Sequence, residues 1–133
     1  MPTQVDTTRQ VIEHHLGALA AGNLEAILSD YTDGSTLIGP DGVLKGRHAI
    51  RASFESALAS LFKPGTYEFT MDTLHVVEDI AYIVWHANCE SADIVLGTDT
   101  FLIRDGKIAV QTFAAKIAAK NRDSPSVVRT STP

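Results

Sequence analysis

The chain has 133 residues, with 16 acidic against 11 basic side chains, a formal charge of −5 and 44% hydrophobic residues. That length suits one domain with a real core, and an acidic balance without a Lys/Arg cluster argues against nucleic acid or an anionic membrane as partner. The single cysteine, Cys89, closes no disulfide within the chain and fits a reducing compartment. The N-terminus lacks the basic start and apolar core of a signal peptide, and no apolar run reaches the roughly 20 residues of a membrane span, so a cytoplasmic protein is expected.

The elements read in chain order as helices first and strands after. A first helix spans about 6–21, capped by Asp6 or Thr7, stopped by Gly22 and striped with Ile12, Leu16 and Leu19. "NLEAILSDY" restarts a short helix at Asn23, with Tyr31 at its end. "STLIG" and "VLK" around Pro40-Asp41-Gly42 form a small hairpin. "GRHAIRASFESALASLF" is a second long amphipathic helix burying Ile50, Phe54, Leu58 and Leu61, ended by Pro64-Gly65. Four strands follow at about 66–77, 80–91, 95–104 and 107–116, the last two joined at Asp105-Gly106, a type I′ hairpin signal. This order predicts an α+β domain over 1–120, with helices on the concave face of a cone-shaped, curved antiparallel sheet that encloses a pocket. The tail, 121–133, is expected to be flexible or to dock on a partner.

In "GTDTFLIRDGKIAVQTF", Asp99 shares strand parity with Phe101 and Ile103, which places a carboxylate on the apolar face. Together with "ALAAGNLEAIL" and "KGRHAIRASF", this stretch resembles the nuclear-transport-factor-2-like superfamily, in its ketosteroid isomerase and SnoaL-like (polyketide cyclase-like) groups. The resemblance covers about residues 8–117 and implies the cone fold. That fold hosts isomerases, dehydratases, epoxide hydrolases, cyclases and non-catalytic modules.

Against ketosteroid isomerase, the resemblance puts Asp99 at the oxyanion-hole acid, His15 where that enzyme has a tyrosine, and Gly39 where its base aspartate stands. Asp41 follows two residues later. One catalytic position of three is kept, so steroid isomerisation by the family mechanism is not expected. Strand parity anchored on Asp99 and on the family's inward positions nominates Tyr67, Phe69, Met71, Tyr82, Val84, His86, Asn88, Phe101, Gln111 and Phe113 as pocket lining. It places Trp85, Ile83 and Ala87 on an apolar outer face suited to a homodimer.

Asp99, His15 and His86 are the candidate catalytic groups. Buried, Asp99 would be a neutral acid donating to a developing enolate; paired with His15, it would be an ionised carboxylate orienting a base. The two roles exclude one another in one state, and each residue has a purely structural reading beside its catalytic one. The five histidines show no compact ligand spacing, so no metal is expected, and no nucleotide or phosphate motif implies a cofactor. The reading is a cofactor-free acid–base enzyme of isomerase, cyclase, dehydratase or hydrolase type, acting on a small apolar carbonyl-like substrate. The alternative is a non-catalytic ligand-binding or dimeric scaffold module.

Overall fold

The computed structural model describes residues 2–120 and 130–131. Helix α1 (Gln4–Ala21) starts earlier than expected because Thr3, not Asp6 or Thr7, is its cap. The Thr3 hydroxyl accepts from the Asp6 N–H while the Asp6 carboxylate accepts from the Thr3 N–H, a reciprocal capping box. Helix α2 (Leu24–Leu28) is capped by the Asn23 side chain, and helix α3 spans Arg47–Leu58. The strands are β1 (Tyr31–Gly39), β2 (Gly42–Lys45), β3 (Glu68–Val77), β4 (Ile80–Asn88), β5 (Ala92–Arg104), β6 (Lys107–Ala119) and the short β7 (Thr130–Ser131). Tyr31 therefore opens a strand instead of closing a helix. The expectation for the tail lies outside the described residues except at β7, which pairs with the end of β6.

The strands form one curved sheet in the order β2-β1-β6-β5-β4-β3, with β7 also on β6. All its pairings are antiparallel except β1 with β6, which run parallel. The β5–β6 turn has φ of 52° at Asp105 and 74° at Gly106, the two positive values that a type I′ turn requires. Helix α1 lies on β3 and β4, and α3 lies on β1 and β2. Ile12, Ile27 and Ile50 from the helices meet Ile83, Phe101, Ile103 and Ile108 from the sheet, all buried. The Thr8 hydroxyl, fully buried, donates to the Glu78 carbonyl at 2.7 Å and pins α1 to the β3–β4 turn.

One expectation inverts. On β4 the buried residues are Ala81, Ile83, Trp85 and Ala87, so Tyr82, Val84, His86 and Asn88 lie on the opposite, convex face. The register explains this: Ile83 stands opposite Asp99 and Ala81 opposite Phe101, and directly paired residues share a face. Trp85 and its two neighbours are thus core residues and are not available as an outer interface. Irregular register between Trp85 and Ala87, and again between Ile94 and Leu96, turns Val95 and Leu96 out to solvent.

Candidate functional site

Between α1, α3 and the concave sheet lies a cavity of about 160 Å³. Its walls are mostly apolar, with Leu16, Leu37, Phe54, Phe69, Phe101 and Phe113 among them, and its polar groups include His15, Asp99 and Gln111. An apolar cavity of about 150 Å³ holds one benzene ring, so the enclosed space suits a single-ring molecule. A more open hollow of about 270 Å³ shares Leu37, Ser53 and Phe113 with the cavity and runs along the β1–β2 turn past Asp41.

Asp99 is buried at the cavity wall and both its oxygens are taken. The Trp85 indole N–H donates to Oδ1 and the Gln111 amide to Oδ2, each at 2.8 Å. The Tyr31 hydroxyl, buried, donates in turn to Gln111 Oε1 at 2.5 Å. One chain of hydrogen bonds therefore crosses four neighbouring strands, β1, β6, β5 and β4. Burial pushes the Asp99 carboxyl up from its ordinary range, while the bonds from Trp85 and Gln111 and the nearby His15 charge oppose the rise. Burial, joined by the charges of Asp99 and Asp30, pushes the Tyr31 phenol far above its ordinary range, so Tyr31 stays a donor.

His15 sits in an aromatic cage, edge-on to Tyr31, Phe54 and Phe101 with ring centroids 5.6–6.0 Å away. Its Nδ1 is buried and has no hydrogen-bond partner among the described residues. The direct His15–Asp99 pair, one of the two alternatives read from the sequence, is not formed, because the carboxylate is held by Trp85 and Gln111. The two groups share the cavity and interact through charge. Among the described residues no three His, Cys, Asp or Glu side chains gather as a metal site, and no helix is long and apolar enough to cross a membrane.

The sequence matches the family model of the SnoaL-like domain over residues 12–111. The chain belongs to the SnoaL-like family. Solved structures agree at the level of the fold. A candidate ketosteroid isomerase from Kribbella flavida superposes with a TM-score of 0.73 at 15% identity, over 98% of this chain and 93% of that one. A candidate polyketide cyclase from Sinorhizobium meliloti gives 0.68 at 17% identity, over 78% and 93%. The protein Bal32a, from a soil-derived mobile gene cassette, gives 0.72 at 15% identity, over 85% and 92%. No curated protein sequence matches.

Within this SnoaL-like cone, the residues nominated from the sequence that line the cavity are His15, Phe69, Asp99, Phe101, Gln111 and Phe113. Tyr67 lies beside it, in a small side pocket with Phe69, its hydroxyl donating to the Leu19 carbonyl at 3.2 Å. Met71 is exposed near the β3 irregularity and does not line the cavity. Tyr82, Val84, His86 and Asn88 are withdrawn as lining because β4 presents its other face. His86 pairs with Asp72 at 2.7 Å on the exposed side. Cys89 is buried, and burial raises its thiol.

Sequence reasoning missed Trp85 and Tyr31, the two ends of the Asp99 network. A signal for Trp85 existed in Gly97, its cross-strand partner. A Cβ there would lie 2.2 Å from the indole, so the glycine makes room for the ring that reaches Asp99.

Proposed function

We propose that this SnoaL-like protein is a cofactor-free acid–base enzyme that moves a proton on a small, single-ring carbonyl-like substrate. The observation that carries the reading is a buried imidazole, unpartnered at Nδ1, facing the same apolar cavity as a carboxylate held by two donors. In this scheme His15 removes a proton from the carbon beside the carbonyl and returns it at another position. Asp99 in its carboxylate form, which the donors on both oxygens favour against burial, offsets the imidazolium that forms. Asp99 is then a counter-charge and not the neutral oxyanion acid of ketosteroid isomerase. His86 has no part in it.

The test is exchange of α-hydrogens in heavy water, followed by proton NMR on small cyclic ketones and enones. Exchange above background that His15→Ala removes supports the reading. Asp99→Asn separates the two roles of the carboxylate. A counter-charge predicts at least about a tenfold loss of rate, whereas a neutral hydrogen-bond donor would be largely replaced by the amide. Saturable ligand binding without exchange would favour a non-catalytic binding module instead.

A homodimer through the convex face belongs to the same proposal, with different residues from those first expected. Tyr82, Thr100, Thr112 and Ile38 lie in register across β4, β5, β6 and β1 and carry no charge, with Ile80, Leu102 and Val110 in the next row. Tyr82→Lys should then yield a monomer by sedimentation. A wild-type monomer at high concentration would end the dimer reading.

A further inference from the structure

Adjacent residues on a helix point about 100° apart, so His14 and His15 leave α1 on different sides. His15 turns into the cavity and His14 to solvent, its side chain half exposed. Between them stands Asp30, buried at the junction of α2 and β1. Its carboxylate accepts from His14 Nδ1 at 2.8 and 2.9 Å, and its Oδ2 lies 3.8 Å from His15 Nδ1. Its backbone is fixed independently: the Asp30 N–H donates to Ile27 and its carbonyl accepts from Ile108 at 2.7 Å. The main chain therefore fixes where the Asp30 side chain starts, and the carboxylate can turn from there between the two histidines.

We infer that Asp30 is the positioning residue of His15, setting which ring nitrogen carries the proton, and that His14 is the solvent-side competitor for the same carboxylate. A carboxylate only accepts. Facing Nδ1, it favours the tautomer with hydrogen on Nδ1, and leaves the lone pair on Nε2, the nitrogen a base needs free. The other polar groups around His15 do not compete for this role. The Tyr31 hydroxyl is spent on Gln111, and Asp99 is held by Trp85 and Gln111. His14, by hydrogen-bonding Asp30, holds the carboxylate short of a full bond to His15. Removing His14 frees it to close that gap.

This inference deepens the proposed function, since it gives His15 its base form, but its test needs no substrate. Long-range proton–nitrogen NMR of the ligand-free protein reads the tautomer of each imidazole directly. In the wild type the Nδ1–H form of His15 should dominate by about tenfold, as expected for a donor aimed at a nearby carboxylate. Asp30→Asn keeps the shape and backbone bonds, and should shift His15 toward the Nε2–H form. His14→Ala, an exposed change, should retain the Nδ1–H form and move its proton signal downfield as the bond to Asp30 forms. An Nε2–H wild type, or His15 signals unmoved in both variants, overturns the assignment. Failure of ketone exchange with these NMR results intact would refute the proposed reaction alone.

Discussion

Replacing Gly97 by alanine tests the site through its tightest contact. The new Cβ would sit 2.2 Å from Trp85 Cε2 and 2.5 Å from Cζ2, where carbon atoms prefer about 3.5–4.0 Å. The indole must withdraw by more than about 1 Å, and it is blocked behind by Phe69, stacked at 5.2 Å, with Phe62 at 6.0 Å. Withdrawal also stretches the 2.8 Å bond from Nε1 to Asp99 beyond hydrogen-bond range. Overpacking costs about 1–3 kcal/mol, and an orphaned buried N–H costs about 1–3 kcal/mol more. Against these, alanine is better than glycine within a strand by only about 0.5–1 kcal/mol. The net loss should be roughly 2–4 kcal/mol, read as the urea midpoint at constant slope. Trp85 is the sole tryptophan, so its emission reports displacement of the ring in the same titration. In a Trp85→Leu background the clash is gone and Gly97→Ala should be nearly neutral, giving a coupling of about 2 kcal/mol or more. An equal penalty in both backgrounds would refute the contact as its source.

Two further outcomes follow from burial and facing. Burial raises the Asp99 carboxyl, over opposing bonds from Trp85 and Gln111, so the folded chain holds this proton more tightly than the unfolded chain does. Its contribution to stability therefore falls as pH rises from the ordinary value of 3.8 through the raised one. Asp99→Asn should flatten that part of the stability–pH profile; a profile with the same slope in both proteins would refute the linkage. His86→Ala removes only an exposed pair with Asp72, so it should change stability by less than about 1 kcal/mol and leave ketone exchange intact. Loss of exchange in this variant would contradict its placement on the convex face.

Most of the fold was legible because its signals are local. The period of α1, the Asn23 cap, the Pro40-Asp41-Gly42 turn and the Asp105-Gly106 hairpin each depend on a few neighbouring residues. The face of β4 depends on its partners. "IAYIVWHAN" alternates Ala81, Ile83, Trp85 and Ala87 against Tyr82, Val84, His86 and Asn88, and its consistently apolar set is the buried one. Anchoring strand parity on Asp99 and on family positions gave the wrong face for β4, and the Trp85–Asp99 bond went with it. Tyr31 was misplaced for a related reason. Ser29 closes α2 with its hydroxyl on the Ala26 carbonyl, and only the parallel pairing with β6 reveals that the next residues are a strand.

The charges around the cavity decide what kind of ligand it favours. His15 has Asp30 on one side, with an oxygen 3.8 Å from Nδ1, and Asp99 near enough that the imidazole's charge lowers its carboxyl. Asp99 is ringed by fixed donors and Asp30 is hydrogen-bonded by His14. Two buried carboxylates beside one imidazole penalise a ligand that arrives as an anion. A neutral ketone meets no such penalty, and in the proposed reaction the imidazolium formed by proton removal would supply the cation that an enolate needs. Among single-ring ligands of equal size, an uncharged aldehyde or ketone should therefore quench Trp85 at least about tenfold more tightly than the matching carboxylate. The preference should shrink in Asp99→Asn, where one of the two charges is gone. Tighter binding of the carboxylate by the wild type would mean that the cavity is an anion site, which would refute this argument.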